Sequence, residues 1–512
     1  MTGLIFFNRA LDLVTFLILS RFMLPESYGV MVSAAIVTDF LNTISQTGFE
    51  GALIQKKENI KEYLNQVWTL NIIKSIVVFL VIYIIAPYVA EFLQIGDYEN
   101  IIRFTGLYVV MMGMANIGGI YFFKDINYKL VFYRDAGSPV IYLITALICI
   151  QFSTSVWVLA IAQLSTYAWP TIMTYVISKY RPVLDFRWGK LKDLTGYSKW
   201  LVGGNIVNYI NSIIDSVFMA HVLGAANLGL YSKAKNLASI PSGYLGQITR
   251  KIGFPSVAKI QNDENTVLSA LEKTYEISLF ITLPFMALLL TQSGNIINFL
   301  LTKEWIGVAE PLKLIAVAFV IKSLNDATYP FLYGLGKPKT HVMATLAQAA
   351  VLFVGLSLLV PVFGIIGAVY AFIIAISVST IFTTRKLIVL TKFKIIKIIP
   401  SLLVIIVPSI MVIIFGHMYN VFIDSKNIFI YGLALIGLGL VYILPILILG
   451  HKFGLGPVPI LKMTFHNLIP QKISKKDENN IINNEIKSGI GRRLQYRFRS
   501  QSARTKKHGI GS

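Results

Sequence analysis

Acidic residues, cysteine and soluble-length polar stretches are all scarce in this 512-residue sequence. The single cysteine, Cys149, excludes an intrachain disulfide and a cysteine-based metal cluster. Charged residues make up only 14%, against about 25% in soluble globular proteins. Hydrophobic residues reach 55% and the mean hydropathy is +0.67, which excludes a water-soluble fold. Catalytic signatures are missing too. Gly334-Leu335-Gly336-Lys337 imitates the end of a phosphate-binding loop, but Pro338 follows and brings no hydroxyl for magnesium. No zinc-protease helix motif or nucleophile elbow occurs. The six histidines (His221, His341, His417, His451, His466 and His508) are scattered over segment ends, loops and tail. Neither a metal, a cofactor nor a catalytic residue is expected.

What is present is a succession of apolar runs, each near the ~20 residues that cross a bilayer. Fourteen segments are predicted. The first six are 3–20, 28–47, 67–92, 102–123, 131–150 and 156–178. The next six are 200–222, 228–248, 267–289, 312–335, 342–360 and 365–384, and the last two are 398–416 and 427–450. Gaps after even-numbered segments hold 21 Lys and Arg, and 23 when Arg134 and Lys273 at the start of the next segments are counted with them. Gaps after odd-numbered ones hold 3, Arg21, Lys303 and Lys426, and 5 when Arg103 and Lys313 at the start of the next segments are counted with them. Because cations concentrate on the cytoplasmic side, both termini are expected there. The net charge of +21 therefore points to membrane orientation rather than to nucleic acid. A basic cytoplasmic tail, 451–512, is expected to be disordered and solvated, in keeping with the same rule, with contact between its 492–507 stretch and anionic lipid as the alternative.

The chain also resembles itself. Arg21-Phe22-Met23-Leu24-Pro25-Glu26-Ser27-Tyr28-Gly29-Val30 matches His221-Val222-Leu223-Gly224-Ala225-Ala226-Asn227-Leu228-Gly229-Leu230, with Gly29 and Gly229 set 200 residues apart. Gly48-Phe49-Glu50-Gly51-Ala52 is echoed in the same order by Gly253-Phe254-Pro255-Ser256-Val257. Six segments per unit is an even number, so the units are expected to be parallel repeats with a binding site between them near the midplane. The predicted organisation is a six-helix lobe at 1–180, a cytoplasmic linker at 181–199, a second six-helix lobe at 200–390, two further transmembrane helices at 391–450, and the tail. The fold class is thus all-α integral membrane, with about 14 helices and two parallel lobes around a central cavity.

Of the charges inside the predicted segments, ten are candidates for a site within the membrane. The cations are Arg9, Lys74, Lys233, Lys235 and Lys322, and the acids are Asp12, Asp39, Asp215, Glu276 and Asp326. At the bilayer centre each costs about 2.5–3.5 kcal/mol, so most must face a wet cavity or each other. Asn205, Asn208, Ser212 and Asp215 share one helical face; Tyr231, Lys235, Ser239 and Ser242 share another. Arg9/Asp12 and Lys322/Asp326 are spaced as local ion pairs, whereas Lys233 and Lys74 read as snorkelling cations.

The Leu-Pro-x-x-Tyr-Gly turn at Leu24–Gly29 and the run Gly51–Gln55 resemble the polysaccharide-transporter (Wzx-type) flippases of the multidrug/oligosaccharidyl-lipid/polysaccharide exporter superfamily. So does the ordered set from Asn205 and Asp215 through Leu228-Gly229-Leu230-Tyr231-Ser232-Lys233-Ala234 to Phe254-Pro255. Members usually carry a basic stretch before the first helix, whereas here the first segment opens at Gly3. The resemblance implies a bacterial cytoplasmic-membrane protein working by alternating access on undecaprenyl-pyrophosphate-linked oligosaccharide, for O-antigen, capsule or exopolysaccharide synthesis. It implies membrane lipids and other polysaccharide-assembly proteins as partners. On that footing Arg9, Lys235 and Lys322 are expected to contact pyrophosphate and Asn205, Asn208 and Tyr231 sugar hydroxyls, while Asp12, Asp39, Asp215 and Asp326 couple an ion or balance charge. Two alternatives stand beside it. A proton- or sodium-coupled multidrug antiporter would favour a cavity of unpaired acids, and a membrane polysaccharide polymerase would need long outer loops.

Overall fold

A computed structural model describes residues 2–453 apart from 47, 57–59, 126–127, 188–191, 250–252, 395, 397–398 and 423–427. Met1–Gly456 form one compact unit. The expected tail lies outside the described residues, apart from 451–453.

Among the described residues there are helices and no strands. In chain order they are α1 Thr2–Leu19, α2 Pro25–Ile44, α3 Phe49–Gln55, α4 Lys61–Phe92, α5 Glu99–Met114, α6 Ile120–Lys124, α7 Tyr128–Asp135, α8 Gly137–Cys149 and α9 Val156–Ile177. They continue as α10 Lys192–Ala238, α11 Ile240–Ile248, α12 Phe254–Ile260, α13 Glu264–Leu300, α14 Ala309–Gly334, α15 Pro338–Thr391, α16 Ile399–Phe422 and α17 Ile428–Phe453. Nine helices in the described residues are long and apolar enough to cross a membrane, or ten if the bent pair α5–α6 is one span.

Two of the long helices are interrupted. Gly224 (φ 78°, ψ 177°) breaks α10 and Gly364 (φ 56°, ψ −133°) breaks α15. These backbone angles are open to glycine and closed to side chains with a Cβ. Both breaks fall in gaps expected from the sequence, between the segments 200–222 and 228–248, and between 342–360 and 365–384.

The expected continuous segment 102–123 is instead bent by 67°. Asn116 caps the turn by accepting from the Gly118 amide and donating 2.7 Å to the Tyr180 carbonyl. The chain after α9 then runs extended beside the start of α4. There Asn65 accepts from the Tyr180 hydroxyl and the Val183 amide, and the Thr69 hydroxyl accepts from the Asp185 amide.

The two repeats meet through their own signature turns. Pro25 opens α2, where its missing N–H costs nothing. A Cβ on Gly29 would stand 1.7 Å from the Ala225 carbonyl oxygen, and one on Gly229 would stand 1.9 Å from that of Pro25. The contact is reciprocal under the 200-residue offset: each glycine admits the backbone at the other turn. A core running through α1, α2, α4, α5, α8, α9, α10 and α13–α15 surrounds it.

α16 and α17 attach differently. Gln292 on α13 donates 2.8 Å to the Gly416 carbonyl, Asn420 donates 2.8 Å to that of Thr291, and Tyr442 donates 2.7 Å to that of Phe280. Polar side chains join helices this way when lipid supplies no hydrophobic drive. Their remaining faces expose Leu403, Val407, Ile410, Leu433, Ile436 and Leu440.

Gly29→Ala and Gly229→Ala are each expected to destabilise the protein by about 1–3 kcal/mol through overpacking. The double variant should cost less than the sum, because either substitution already separates the same two turns. Thermal unfolding of detergent-purified protein measures both quantities.

Candidate functional site

Helical spacing builds one wall at a time. On α1, Asn8, Arg9, Asp12, Thr15 and Phe16 lie along one side. On α9, Leu159, Gln163, Thr166 and Tyr167 recur at helical spacing. Tyr28 on α2 and Tyr142 on α8 complete the N-terminal part, and Lys233 and Asn236 from the second part of α10 close it. The chamber they line opens at a mouth and measures ≈ 450 Å³. A second cavity of ≈ 240 Å³ adjoins it, sharing Tyr28, Tyr142, Gln163 and Lys233, and continues to Asp39, Thr105 and Tyr108.

The charges in the chamber are unevenly satisfied. Arg9 and Asp12 are 3.9 Å apart, with both side chains more than half exposed to the chamber and its mouth. The Lys233 ammonium lies 4.0 Å from the centre of the Tyr28 ring and 4.5 Å from that of Phe16. Among the described residues no carboxylate is within ion-pairing distance of it. Three buried polar atoms of the lining, Asn8 Oδ1, Thr15 Oγ1 and the Tyr28 hydroxyl, have no hydrogen-bond partner among the described residues. Buried polar groups are usually paired, so three on one wall mark a place built to receive a polar guest or water.

One end of the chamber is sealed by aromatic rings. Trp305, fully buried, meets Phe16 and Tyr28 edge-on at 5.1 and 5.3 Å. Its indole donates 3.0 Å to the Ser20 carbonyl. The residue that seals this end therefore comes from the segment before α14, and the groups it seals against come from α1 and α2.

The expected site residues fall into separate groups. Arg9 and Asp12 share the chamber, and Asp39 lines the adjoining cavity, where it accepts a hydrogen bond from Tyr108. Asp215 is buried and accepts from the Tyr231 hydroxyl at 2.7 Å and from Lys235 at 2.5 Å. Tyr231 is fully buried in that cluster, and the Lys235 side chain is about a quarter exposed, at 24%. Lys322 pairs with Asp326 at 2.6 Å. Neither Lys235 nor Lys322 borders the two cavities described above. Asn208 is exposed, and the Asn205 side chain lies outside the described residues.

Lys233 was read from the sequence as a snorkelling cation, and the structure places it otherwise. The helix that carries it resumes at Ala225, directly after the break at Gly224, so Lys233 sits eight residues in. At about 1.5 Å per residue that is roughly 12 Å along the helix. Tyr142, Gln163, Asn8 and Thr15 were also missed. Gln163 carried a signal, as a lone amide in the apolar run Val156–Leu164.

Fold and site together define a multi-pass α-helical membrane protein with a charged internal chamber. The chain belongs to the polysaccharide biosynthesis protein family, whose profile matches residues 18–310. It is similar to the lipopolysaccharide biosynthesis protein WzxC of Escherichia coli, at 23% identity over 62% of this chain and 65% of that protein. It is also similar to the teichuronic acid biosynthesis protein TuaB of Bacillus subtilis, at 21% identity over 69% of this chain and 73% of that one. The chain thus spans about two thirds of the length of these relatives. In fold it is similar to the lipid II flippase MurJ in an inward closed conformation, with a TM-score of 0.71 and 15% identity over 88% of this chain and 98% of that one.

Lys235→Met is expected to lower stability by at least about 2 kcal/mol, because Asp215 stays buried with its charge partner gone. Adding Asp215→Asn should recover part of the loss. Melting temperatures of the single and double variants test the pairing.

Proposed function

We propose that this protein is a flippase moving polyprenyl-pyrophosphate-linked oligosaccharide across the bacterial cytoplasmic membrane by alternating access, with both termini in the cytoplasm and no catalytic role. Family membership and the names of the relatives support the class. One observation carries the reading: a chamber among the helices that holds Arg9, Lys233 and three buried polar atoms without partners among the described residues. A sugar cannot cross lipid unaided, since each unpaired hydroxyl costs several kcal/mol to bury. Unpaired donors and acceptors on the protein replace water for it. Pyrophosphate calls for charge-assisted hydrogen bonds from cations, and Arg9 and Lys233 supply them in the chamber.

In this proposal the two six-helix lobes, 1–180 and 200–390, are joined by the linker at 181–199. Counting the bent pair α5–α6 as one span and each helix broken at glycine as two, and adding α1 and α14, the chain crosses the membrane fourteen times. The sequence-derived contacts Lys235 and Lys322 act in a rearranged state, once Asp215 and Asp326 release them. Asn205, Asn208 and Tyr231 take sugar hydroxyls in that state. Asp12 and Asp39 balance charge when the chamber is empty. Outward transfer of an anion down an inside-negative potential gains about 2.3 kcal/mol per charge per 100 mV, so the cargo's own charge helps drive it. Other polysaccharide-assembly proteins consume the product.

Arg9→Gln and Lys233→Met should each reduce surface polysaccharide export at least tenfold in a strain lacking the chromosomal copy, with the protein still reaching the membrane. Normal export by both variants would refute the assignment. Dye retention that rises in the deletion strain while polysaccharide stays normal would favour a drug antiporter instead.

A further inference from the structure

The ≈ 240 Å³ cavity beside the main chamber has a chemistry of its own. Tyr108 and Tyr167 stack with ring centres 4.4 Å apart and planes inclined by 26°. Tyr108 is almost wholly buried and backs Tyr167, which is half-buried and lines the cavity with Tyr142. Asp39 takes the Tyr108 hydroxyl, a bond that fixes the carboxylate and leaves it further acceptor capacity. Gln163 adds an amide, and the Tyr28 hydroxyl is buried without a partner on the wall common to both cavities.

A fixed aromatic face beside an acceptor carboxylate, an amide and an unpaired hydroxyl suits a pyranose ring. Its C–H face packs on an aromatic, and its rim of hydroxyls both donates and accepts. An acyl chain would strand the Asp39 carboxylate against hydrocarbon, which is costly. The volume lies under the ~300 Å³ at which pockets for drug-sized ligands begin, so it suits one ring and not an oligosaccharide. Lys233 borders both cavities, so a ring seated here has its anomeric substituent within the reach of the chamber's cations.

We infer that this cavity, between α2, α5, α8 and α9, is a subsite for one neutral pyranose: the sugar bonded directly to the pyrophosphate. The inference rests on the flippase reading above and adds a selectivity to it. Asp39 repels a uronic acid at this position, while a neutral hexose or N-acetylhexosamine satisfies it. Sugars further along the chain face no such filter in this cavity.

The test uses the full-length protein in lipid nanodiscs and three probes: polyprenyl pyrophosphate, polyprenyl-pyrophosphoryl-N-acetylglucosamine and polyprenyl-pyrophosphoryl-glucuronate. Wild type should bind the N-acetylglucosaminyl lipid at least tenfold tighter than the bare pyrophosphate, and the glucuronosyl lipid no tighter than the bare one. Tyr167→Leu should bring the N-acetylglucosaminyl preference within twofold, and Tyr167→Phe, which keeps the ring, should retain it. Equal wild-type binding of the N-acetylglucosaminyl and bare lipids overturns the subsite while leaving the flippase reading in place. So does preferred binding of the glucuronosyl lipid. Binding of none of the three overturns both. The wild-type comparison stands whether or not a variant folds.

Discussion

The structure depends on a mutual approach of backbone to backbone. Gly29 makes room for the carbonyl of Ala225, and Gly229 for that of Pro25. Each glycine sits in the turn that the other repeat copies, so one short sequence element, used twice, makes a self-complementary contact. Small residues allow this closeness in membrane helices, where packing must replace the hydrophobic effect. The consequence for the chamber is direct. Tyr28 precedes Gly29, and Lys233 lies one helical turn beyond Gly229, so the contact that locks α2 to α10 also sets the ammonium over the phenol ring at 4.0 Å. Phe16 and Trp305 then close the same aromatic group from α1 and from the segment before α14.

The charged residues separate into two kinds of arrangement. Asp215 with Lys235 and Tyr231, and Lys322 with Asp326, are short-range pairs whose partners lie on the same or an adjacent helix. Buried pairs of this kind contribute little net stability, yet breaking one is expensive. They hold helix positions as long as both members stay in place. Lys233 is different: its contacts are two ring faces, which attract a cation without neutralising it. Such a cation keeps most of its pull on an incoming anion. A lysine already bonded to a carboxylate must first give up that bond, so an anion arriving in this conformation meets Lys233, and Arg9 with its long 3.9 Å contact to Asp12, on easier terms than Lys235 or Lys322, whose carboxylate contacts are 2.5 and 2.6 Å.

Much of the fold was legible because the bilayer imposes simple rules. Apolar length, the placement of cations between segments and the 200-residue echo reflect constraints that act locally, and they pointed to a multi-pass helical protein. Gly224 and Gly364 sit in gaps between expected segments, and the structure puts its non-helical breaks there. The bend at Asn116–Gly119 was missed although Asn116, Gly118 and Gly119 are turn-type residues, since the rest of Ile102–Phe123 is mostly apolar and the bend is fixed by Tyr180, more than sixty residues away. The site was legible in its residue types and less so in its grouping. The pair Arg9/Asp12 follows from spacing on one helix. The depth of Lys233 depends on where α10 resumes, an error of three residues that moves the ammonium by nearly a turn.

The chamber is also asymmetric in a way that a two-fold repeat does not require. Its walls come mostly from α1, α2, α8 and α9, and the second repeat contributes chiefly Lys233, Asn236, Leu237 and Ile240. In the second half of the chain, α13, α14 and α15 are joined instead by paired side chains: Asn325 with Thr383 and Ser379, Thr282 with Ser323, and Tyr275 with Thr328. An anionic guest with a polar head and an apolar tail needs such inequality. A symmetric chamber would offer two equivalent seats to a molecule that has one charged group, whereas here the unpaired polar atoms, the ring-bound ammonium and the smaller side cavity all lie toward a single half.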